Sequence, residues 1–346
     1  MDAPRVKDLA RRAGFVSAAV GPVGLRSEEG DALRRWLAAG NAADMSRWMG
    51  RAPERRLDAR SLLPEAAAVI SLAVPAPSDP APPAPGRAFG RVARHAWGAD
   101  YHDAVRRRLE NFRRALAAEC PELRARAAVD SEPLLERAFA RDGGLGFVGR
   151  NMNLIVPGVG SRLILAELVV NLDLKPDPPL QKTCGDCAAC RSACPTGAMD
   201  DGFLNAGRCI AYHTMENRGP IPPEIRPRMG SWVFGCDACQ DVCPRNDSPT
   251  ALPRVEAWPE LSSGRGAGPW LSLSDLLALR SEESFQEKFR GTAMLRARRA
   301  GLVRNACVAA RNAGTTRELR AMLAECRDRD VSPIVREHAA WALETA

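Results

Sequence analysis

No long hydrophobic run occurs in the 346-residue chain, and no apolar stretch approaches the ~20 residues that cross a bilayer. The N-terminus, MDAPRVKDLARRAG, is amphipathic and charged, without the apolar core and small-residue cleavage site of a secretory signal. These absences predict a soluble, cytoplasmic protein with no membrane partner. Histidine is scarce as well: His95, His102, His213 and His338 include no two at metal-ligand spacing, so they read as surface or packing residues. No strict internal repeat is present.

What is there is a chain able to bury a sizeable core. Hydrophobic residues make up 45%, and the length suits two or three domains. The formal net charge of +7 fits an anionic partner such as nucleic acid, or an ordinary solvated surface in an arginine-, alanine- and glycine-rich composition. Eleven cysteines in a reducing compartment favour metal or redox chemistry over disulfides.

The first 74 residues read as α/β. VKDLARRAG predicts a helix ended by Gly14, FVSAAVGP a strand, DALRRWLAAG a helix and AAAVISLAV a buried strand. Six prolines between 75 and 85 make a loop. DYHDAVRRRLENFRRALAAEC is amphipathic through Tyr101, Val105, Leu109 and Phe112. From 125 the pattern predicts a strand, a helix capped by Ser131 with Pro133 in its first turn, a stop at Gly143-Gly144, and two strands joined at PGVGS. Beyond about 270 the chain is helical, with RNACVAARNAG and PIVREHAAWALETA as paired amphipathic helices.

CGDCAACRSACP contains Cys184, Cys187, Cys190 and Cys194 before Pro195, the C-x2-C-x2-C-x3-C-P run of bacterial ferredoxins. GCDACQDVCP adds Cys236, Cys239 and Cys243, and Cys209 is the candidate that completes eight thiolates. By the ferredoxin crossover, Cys184, Cys187, Cys190 and Cys243 hold one [4Fe–4S] cluster. Cys194, Cys209, Cys236 and Cys239 hold the other. The four iron corners of a cubane each need a soft anionic ligand, and x2 gaps let one loop wrap three of them. Two zinc sites are the alternative, but zinc prefers paired C-x2-C units separated by a spacer. Cys120, Cys307 and Cys326 read as buried thiols.

Gly144, Gly146 and Gly149 match G-x-G-x-x-G, but they follow a helix and precede a strand, the reverse of a dinucleotide site. They are read instead as allowing close approach to a flat ligand. Asp130 ends a strand, where it serves either as a cleft-facing acid or as a helix cap. A buried carboxyl there would stay protonated and act as a proton donor. Asp100-Tyr101-His102 starts the D-x-H-x-x-G pattern of histidine-ligated cobalamin proteins, but Val105 stands in place of its second conserved feature.

Six stretches together resemble the epoxyqueuosine reductase family: ERRLDARSLLP (54–64), RHAWGADYHDAVRRRL (94–109), VDSEPLLERAFARDGGLGFVGRN (129–151), CGDCAACRSACPTGA (184–198), LNAGRCIAYHTMENRG (204–219) and MGSWVFGCDACQDVCPRN (229–246). The resemblance is dense over about 1–250. It implies an α+β fold with an N-terminal α/β, nitroreductase-like cobalamin-binding domain (1–175). A ferredoxin-like two-cluster domain (176–250) and a helical, HEAT-like, tRNA-contacting tail (251–346) follow. It further implies reduction of epoxyqueuosine to queuosine at the tRNA wobble position. Electrons from a flavodoxin or ferredoxin would pass through two [4Fe–4S] clusters to cobalamin, with Asp130 as the catalytic proton donor. By motif match Arg56, Asp130, Arg150, Leu154 and Leu165 contact the cobalamin. The chain is expected to be monomeric.

Arg290, Arg296, Arg298, Arg299 and Arg304 are candidates for tRNA phosphates, or simply a solvated helix face. Two rivals remain: a reductive dehalogenase, which normally carries a twin-arginine signal not found here, and a ferredoxin-type carrier with no catalytic site.

Overall fold

The computed structural model of the chain describes residues 1–77, 83, 88–200, 202–247 and 258–344. Most of the proline-rich stretch predicted as a loop therefore lies outside the described residues.

The central sheet has four antiparallel strands in the order Ser17–Gly21, Ala68–Pro75, Leu163–Val170, Ala125–Ala128. All eight residues of Ala68–Pro75 are buried, which explains a near-continuous apolar run where a half-exposed strand would alternate. Period-two geometry sends Ile70, Leu72 and Val74, with Ile164, Ala166 and Leu168, to one face. There they meet Val6 and Leu9 of the helix Ala3–Arg12 and Val105, Leu109 and Phe112 of the helix Tyr101–Glu119. Val69 and Val169 face the other way, against Phe139 of the helix Glu136–Asp142.

Local signals account for several boundaries. Asp2 caps the first helix through the Arg5 amide (2.9 Å), and Gly14 follows it at φ +96, a conformation glycine adopts without strain. The predicted Ser131 cap does not form. The helix begins at Glu136 with no side-chain cap, and Pro133 lies before it. The Ser131 hydroxyl instead accepts from Arg106 (2.7 Å) and donates to Glu132 (2.7 Å), so local partners outcompete the helix end. Gly143 ends this helix as expected.

A second sheet has Phe89–Val92 at its centre, with Trp232–Phe234 parallel on one side and Trp270–Ser272 antiparallel on the other. Three distant stretches thus share one ladder. Val233 and Phe234 belong to the same hydrophobic core as Ile70, Phe112 and the tail residues Phe285, Leu302 and Cys307.

The tail departs from the amphipathic expectation. The helix Arg298–Asn312 has eleven buried residues and is enclosed nearly all round, with helices Arg317–Arg329 and Pro333–Leu343 packed near it. Its polar side chains are satisfied internally. Arg304, fully buried, donates to the carbonyls of Gly219 (2.6 Å), Asn217 (3.0 Å) and His213, while Asn305 donates to Thr214 (2.9 Å) and Val233 (2.8 Å) carbonyls. Arg299 forms two bonds to Asp330, at 2.9 and 2.6 Å. Arg299 and Arg304 are therefore structural clamps and not tRNA-facing, because both guanidinium groups are buried and bonded inside the protein. Arg290 and Arg298 are exposed, and Arg296, also exposed, pairs with Glu216.

Candidate active site and cluster ligands

Asp130 directly follows Val129 at the end of the strand Ala125–Ala128 and holds φ +56. Aspartate tolerates that left-handed region better than most residues, because its short polar side chain bonds locally. Its amide donates to Glu136 Oε1 at 2.6 Å, and its Oδ2 accepts the Tyr101 hydroxyl at 2.6 Å. His102 Nε2 stands 3.9 Å from the same oxygen, while its Nδ1 lies 2.7 Å from Asp100 Oδ1. Asp130 caps no helix, so the capping alternative falls. Its side chain is 59% exposed, so the burial expected of it is not a property of the protein alone.

Tyr101 is a fixed donor. Burial, then the neighbouring Asp130 charge, raises its hydroxyl far above the ordinary tyrosine range. The carboxyl that burial holds protonated is Glu136, pushed up to about 8 by desolvation first and by Asp130 second. Composition and spacing missed Tyr101, His102 and Glu136. His102 was read as a packing residue because a histidine without a histidine partner leaves no ligand pattern.

Around this turn lie the other predicted contacts. Arg56 is buried; its Nη2 donates to the Trp48 carbonyl (3.1 Å), and its Nε has no partner. The Arg56 carbonyl accepts the Leu135 amide (3.1 Å), tying Arg56 to the segment after Asp130. Leu154 is 2% exposed and packs with Ala73, Ala140 and the half-buried Leu165. Leu154 therefore presents backbone, not side chain. Arg137 donates to the Met152 carbonyl and so joins the helix Glu136–Asp142 to the hairpin of strands Phe147–Val148 and Leu154–Ile155. The glycines here serve chain packing: a Cβ on Gly146 would stand 2.5 Å from the Ile155 carbonyl oxygen, so their role in admitting a flat ligand is replaced by contact within the chain.

The same hairpin meets the cysteines. The Arg150 amide donates to Cys184 Sγ at 3.4 Å, and its guanidinium donates to the Cys187 carbonyl at 3.3 Å. Cys243, 8% exposed, packs with Phe147, Ile155 and Cys184. Burial, then Cys184, raises the Cys190 thiol, with Cys243 contributing. In the second set, burial pushes Cys239 up to about 12, with Cys209 the next contributor and Cys194 a smaller one. Burial likewise raises Cys236 above its ordinary value, with Cys209 and Cys239 adding to it. Thiolates this costly to ionise need a cation beside them, which iron supplies. Among the described residues, no three of His, Cys, Asp and Glu converge on a single-ion site. The loop bearing Cys236, Cys239 and Cys243 is anchored by Asp237, which accepts the Arg94 amide (2.8 Å), and by Asp241, which accepts Arg94 (2.8 Å) and Arg91 (3.1 Å).

Comparison with known proteins fits this geometry. The family model described as "Epoxyqueuosine reductase QueG, DUF1730" matches residues 56–131, and that for a "4Fe-4S double cluster binding domain" matches 183–246. The epoxyqueuosine reductase of Synechococcus sp. (strain CC9605) is 42% identical over 287 residues, spanning 80% of this chain and 84% of the relative. That of Pseudomonas aeruginosa is 36% identical over 348 residues, spanning 99% and 93%.

A solved epoxyqueuosine reductase with a tRNA-Tyr epoxyqueuosine-modified stem loop aligns at TM-score 0.86 and 31% identity, over 98% of this chain and 88% of that one. The Bacillus subtilis enzyme, with its catalytic aspartate loop swung out of the active site, aligns at 0.85 and 30%, with the same coverage. A double-cluster module set beside an acid-bearing α+β half, matched along nearly its whole length by these enzymes, is neither a dehalogenase nor a bare carrier: the chain belongs to the epoxyqueuosine reductase family.

Proposed function

We propose that this chain reduces epoxyqueuosine to queuosine at the wobble position of tRNA, with electrons passing through two [4Fe–4S] clusters to cobalamin and Asp130 giving a proton. Converting the epoxide to the alkene takes two electrons and two protons and releases water. The observation that carries the reading is an unbroken chain of contacts. Cys184 accepts the Arg150 amide, Arg137 grips the same hairpin at Met152, and neighbouring Glu136 holds Asp130.

In this reading residues 1–175 bind the cobalamin, 176–250 form the ferredoxin-like module and 251–346 are the HEAT-like tail that meets tRNA. The set of Cys184, Cys187, Cys190 and Cys243 adjoins the hairpin and delivers electrons. The set of Cys194, Cys209, Cys236 and Cys239 receives them from a flavodoxin- or ferredoxin-type donor. Bound cobalamin supplies a low-potential cobalt centre for the two-electron reduction.

The protein groups suit such a ligand. The buried Arg56 Nε has a free N–H for a polar group on the corrin periphery, Arg150 adds a cation, and Leu165, half-buried over Leu154, offers an apolar surface. Asp130, with Tyr101 steadying its carboxyl, protonates the departing oxygen, a contribution of roughly 10²–10⁴-fold. Exposed Arg290 and Arg298 meet tRNA phosphates, and the base is splayed into the site. No helix among the described residues is long and apolar enough to cross a membrane.

Anaerobic incubation of reconstituted protein with cobalamin, a reductant and epoxyqueuosine-containing tRNA, followed by nucleoside mass analysis, tests the whole reading. Queuosine should appear only when cobalamin is present. Its absence from protein carrying full clusters and bound corrinoid sinks the proposal.

A further inference from the structure

The sheet face beneath the helix Glu136–Asp142 carries one acid among apolar neighbours. Glu167 lies opposite Ser71 on one flanking strand and Ala128 on the other. It is fully buried, and neither of its oxygens meets an N–H or O–H donor. The side chain facing it is the carboxyl of Glu136. Two carboxylates pressed together, one of them fully buried and the other half-buried, do not readily both ionise; they are satisfied when one proton is held between them.

The far side of Glu136 grips the catalytic turn. Its Oε1 accepts the Asp130 amide at 2.6 Å, and Asp130 sits at φ +56. A non-glycine residue there carries about 1–3 kcal/mol of strain and stays put only when its surroundings over-determine it. Tyr101 fixes the Asp130 side chain, and Glu136 fixes its backbone.

We propose that Glu136 and Glu167 are a proton-sharing pair that positions Asp130, with Glu167 steadying Glu136 through the shared proton and Glu136 holding the Asp130 amide. The inference rests on Asp130 being the proton donor. Burial is the main cause of the raised proton affinity of both acids. Asp130 and Glu132 add to it at Glu136, while the bond from the Asp130 amide and the charge of Arg137 oppose it. Of the charged or titratable groups on other packed elements, His95, Tyr101, His102 and Arg296 face Asp130. Glu136 is raised to about 8, so at neutrality a neutral carboxyl holds the Asp130 amide; as pH rises through that value Glu136 ionises and becomes the stronger acceptor, while Glu167 keeps the proton between them.

Two measurements on the reconstituted holoenzyme test this. Infrared spectra of protein labelled with ¹³C-glutamate should show protonated carboxyl bands at neutral pH, of which one fades as pH passes about 8 and is missing in Glu136→Gln, while the other is missing in Glu167→Gln. In turnover, Glu136→Ala should lose roughly 10²-fold in kcat at unchanged KM for the stem loop, as misplacement of a catalytic group does. Glu136→Gln should rescue it, since its amide oxygen still accepts from Asp130. Glu167→Gln should move the Glu136 titration to lower pH, because an amide N–H donates to the ionised Glu136 at every pH.

No protonated band at neutral pH, wild-type kcat in Glu136→Ala, or a Glu136 band that titrates in Glu167→Gln as it does in the wild type overturns the pair. Should Glu136→Ala fail to fold, the two glutamine variants decide by their pH profiles. Turnover that survives Asp130→Ala while the band persists removes the donor reading, and the positioning role with it.

Discussion

Tyr101 and Asp130 are joined by a 2.6 Å hydrogen bond from the phenol to Oδ2, linking the start of the helix Tyr101–Glu119 to the turn that ends a strand of the central sheet. The phenol keeps its proton because burial and the adjacent carboxylate both oppose its loss. It therefore orients Asp130 without competing for the proton that, in the proposed reaction, Asp130 would give.

Removing that donor is the first test. A hydrogen bond to a charged group contributes about 1.5–3 kcal/mol, so Tyr101→Phe should slow queuosine formation roughly tenfold to a hundredfold. Asp130→Ala should cost more, roughly 10²–10⁴-fold. Both variants should retain clusters and corrinoid by absorbance, and single-turnover nucleoside analysis supplies the rates.

Cys243 is predicted to serve the cluster built on Cys184, Cys187 and Cys190, not the one nearest it in sequence. It packs with Cys184 behind Phe147 and Ile155, and its charge is felt at Cys190. Cys243→Ala should disturb one of two cluster signals in EPR and lower the iron count. Finding the cluster of Cys236 and Cys239 altered instead would reject the crossover.

The tail arginines should separate into two classes. Arg299 and Asp330 form an ion pair with side chains 4% and 1% exposed. Breaking it with Arg299→Leu leaves a buried carboxylate and should cost about 3–5 kcal/mol, a Tm drop on the order of 10 °C. Arg298→Ala should leave Tm unchanged and flatten the salt dependence of stem-loop binding, as loss of a phosphate contact does.

His338 should set part of the acid limit of stability. Fully buried, it accepts the Ile221 amide at Nε2 (3.1 Å), with Nδ1 2.7 Å from the Ile334 carbonyl, and burial lowers its pKa to about 4. The folded value lies below the unfolded value near 6.5, so the stabilisation is present above that pH and lost as pH falls through about 4. The loss amounts to roughly 3 kcal/mol. Denaturant unfolding between pH 7 and 4 should show a shallower acid decline for His338→Gln than for the native chain.

Chemistry carried by short spacing was legible without a structure. The C-x2-C-x2-C-x3-C-P run marks the 4Fe–4S double-cluster region, because one loop must wrap successive corners of a cubane. Asp130 stood out as the acid at a strand end. Glu167 left a trace too, a lone carboxylate in LILAELVV, but its meaning depends on Glu136, which reaches it only when a helix packs across the sheet.

The amino-acid order alone marked the cysteine runs, the apolar strands and the acid at a strand end, since each depends on neighbours within a few residues. Tertiary structure decided which charges are free. Arg304 is spent on His213, Asn217 and Gly219, and Arg299 on Asp330, whereas Arg298 remains in solvent. Partners up to 91 positions apart meet only through burial, and burial, not spacing, sets whether a side chain binds a phosphate or a carbonyl.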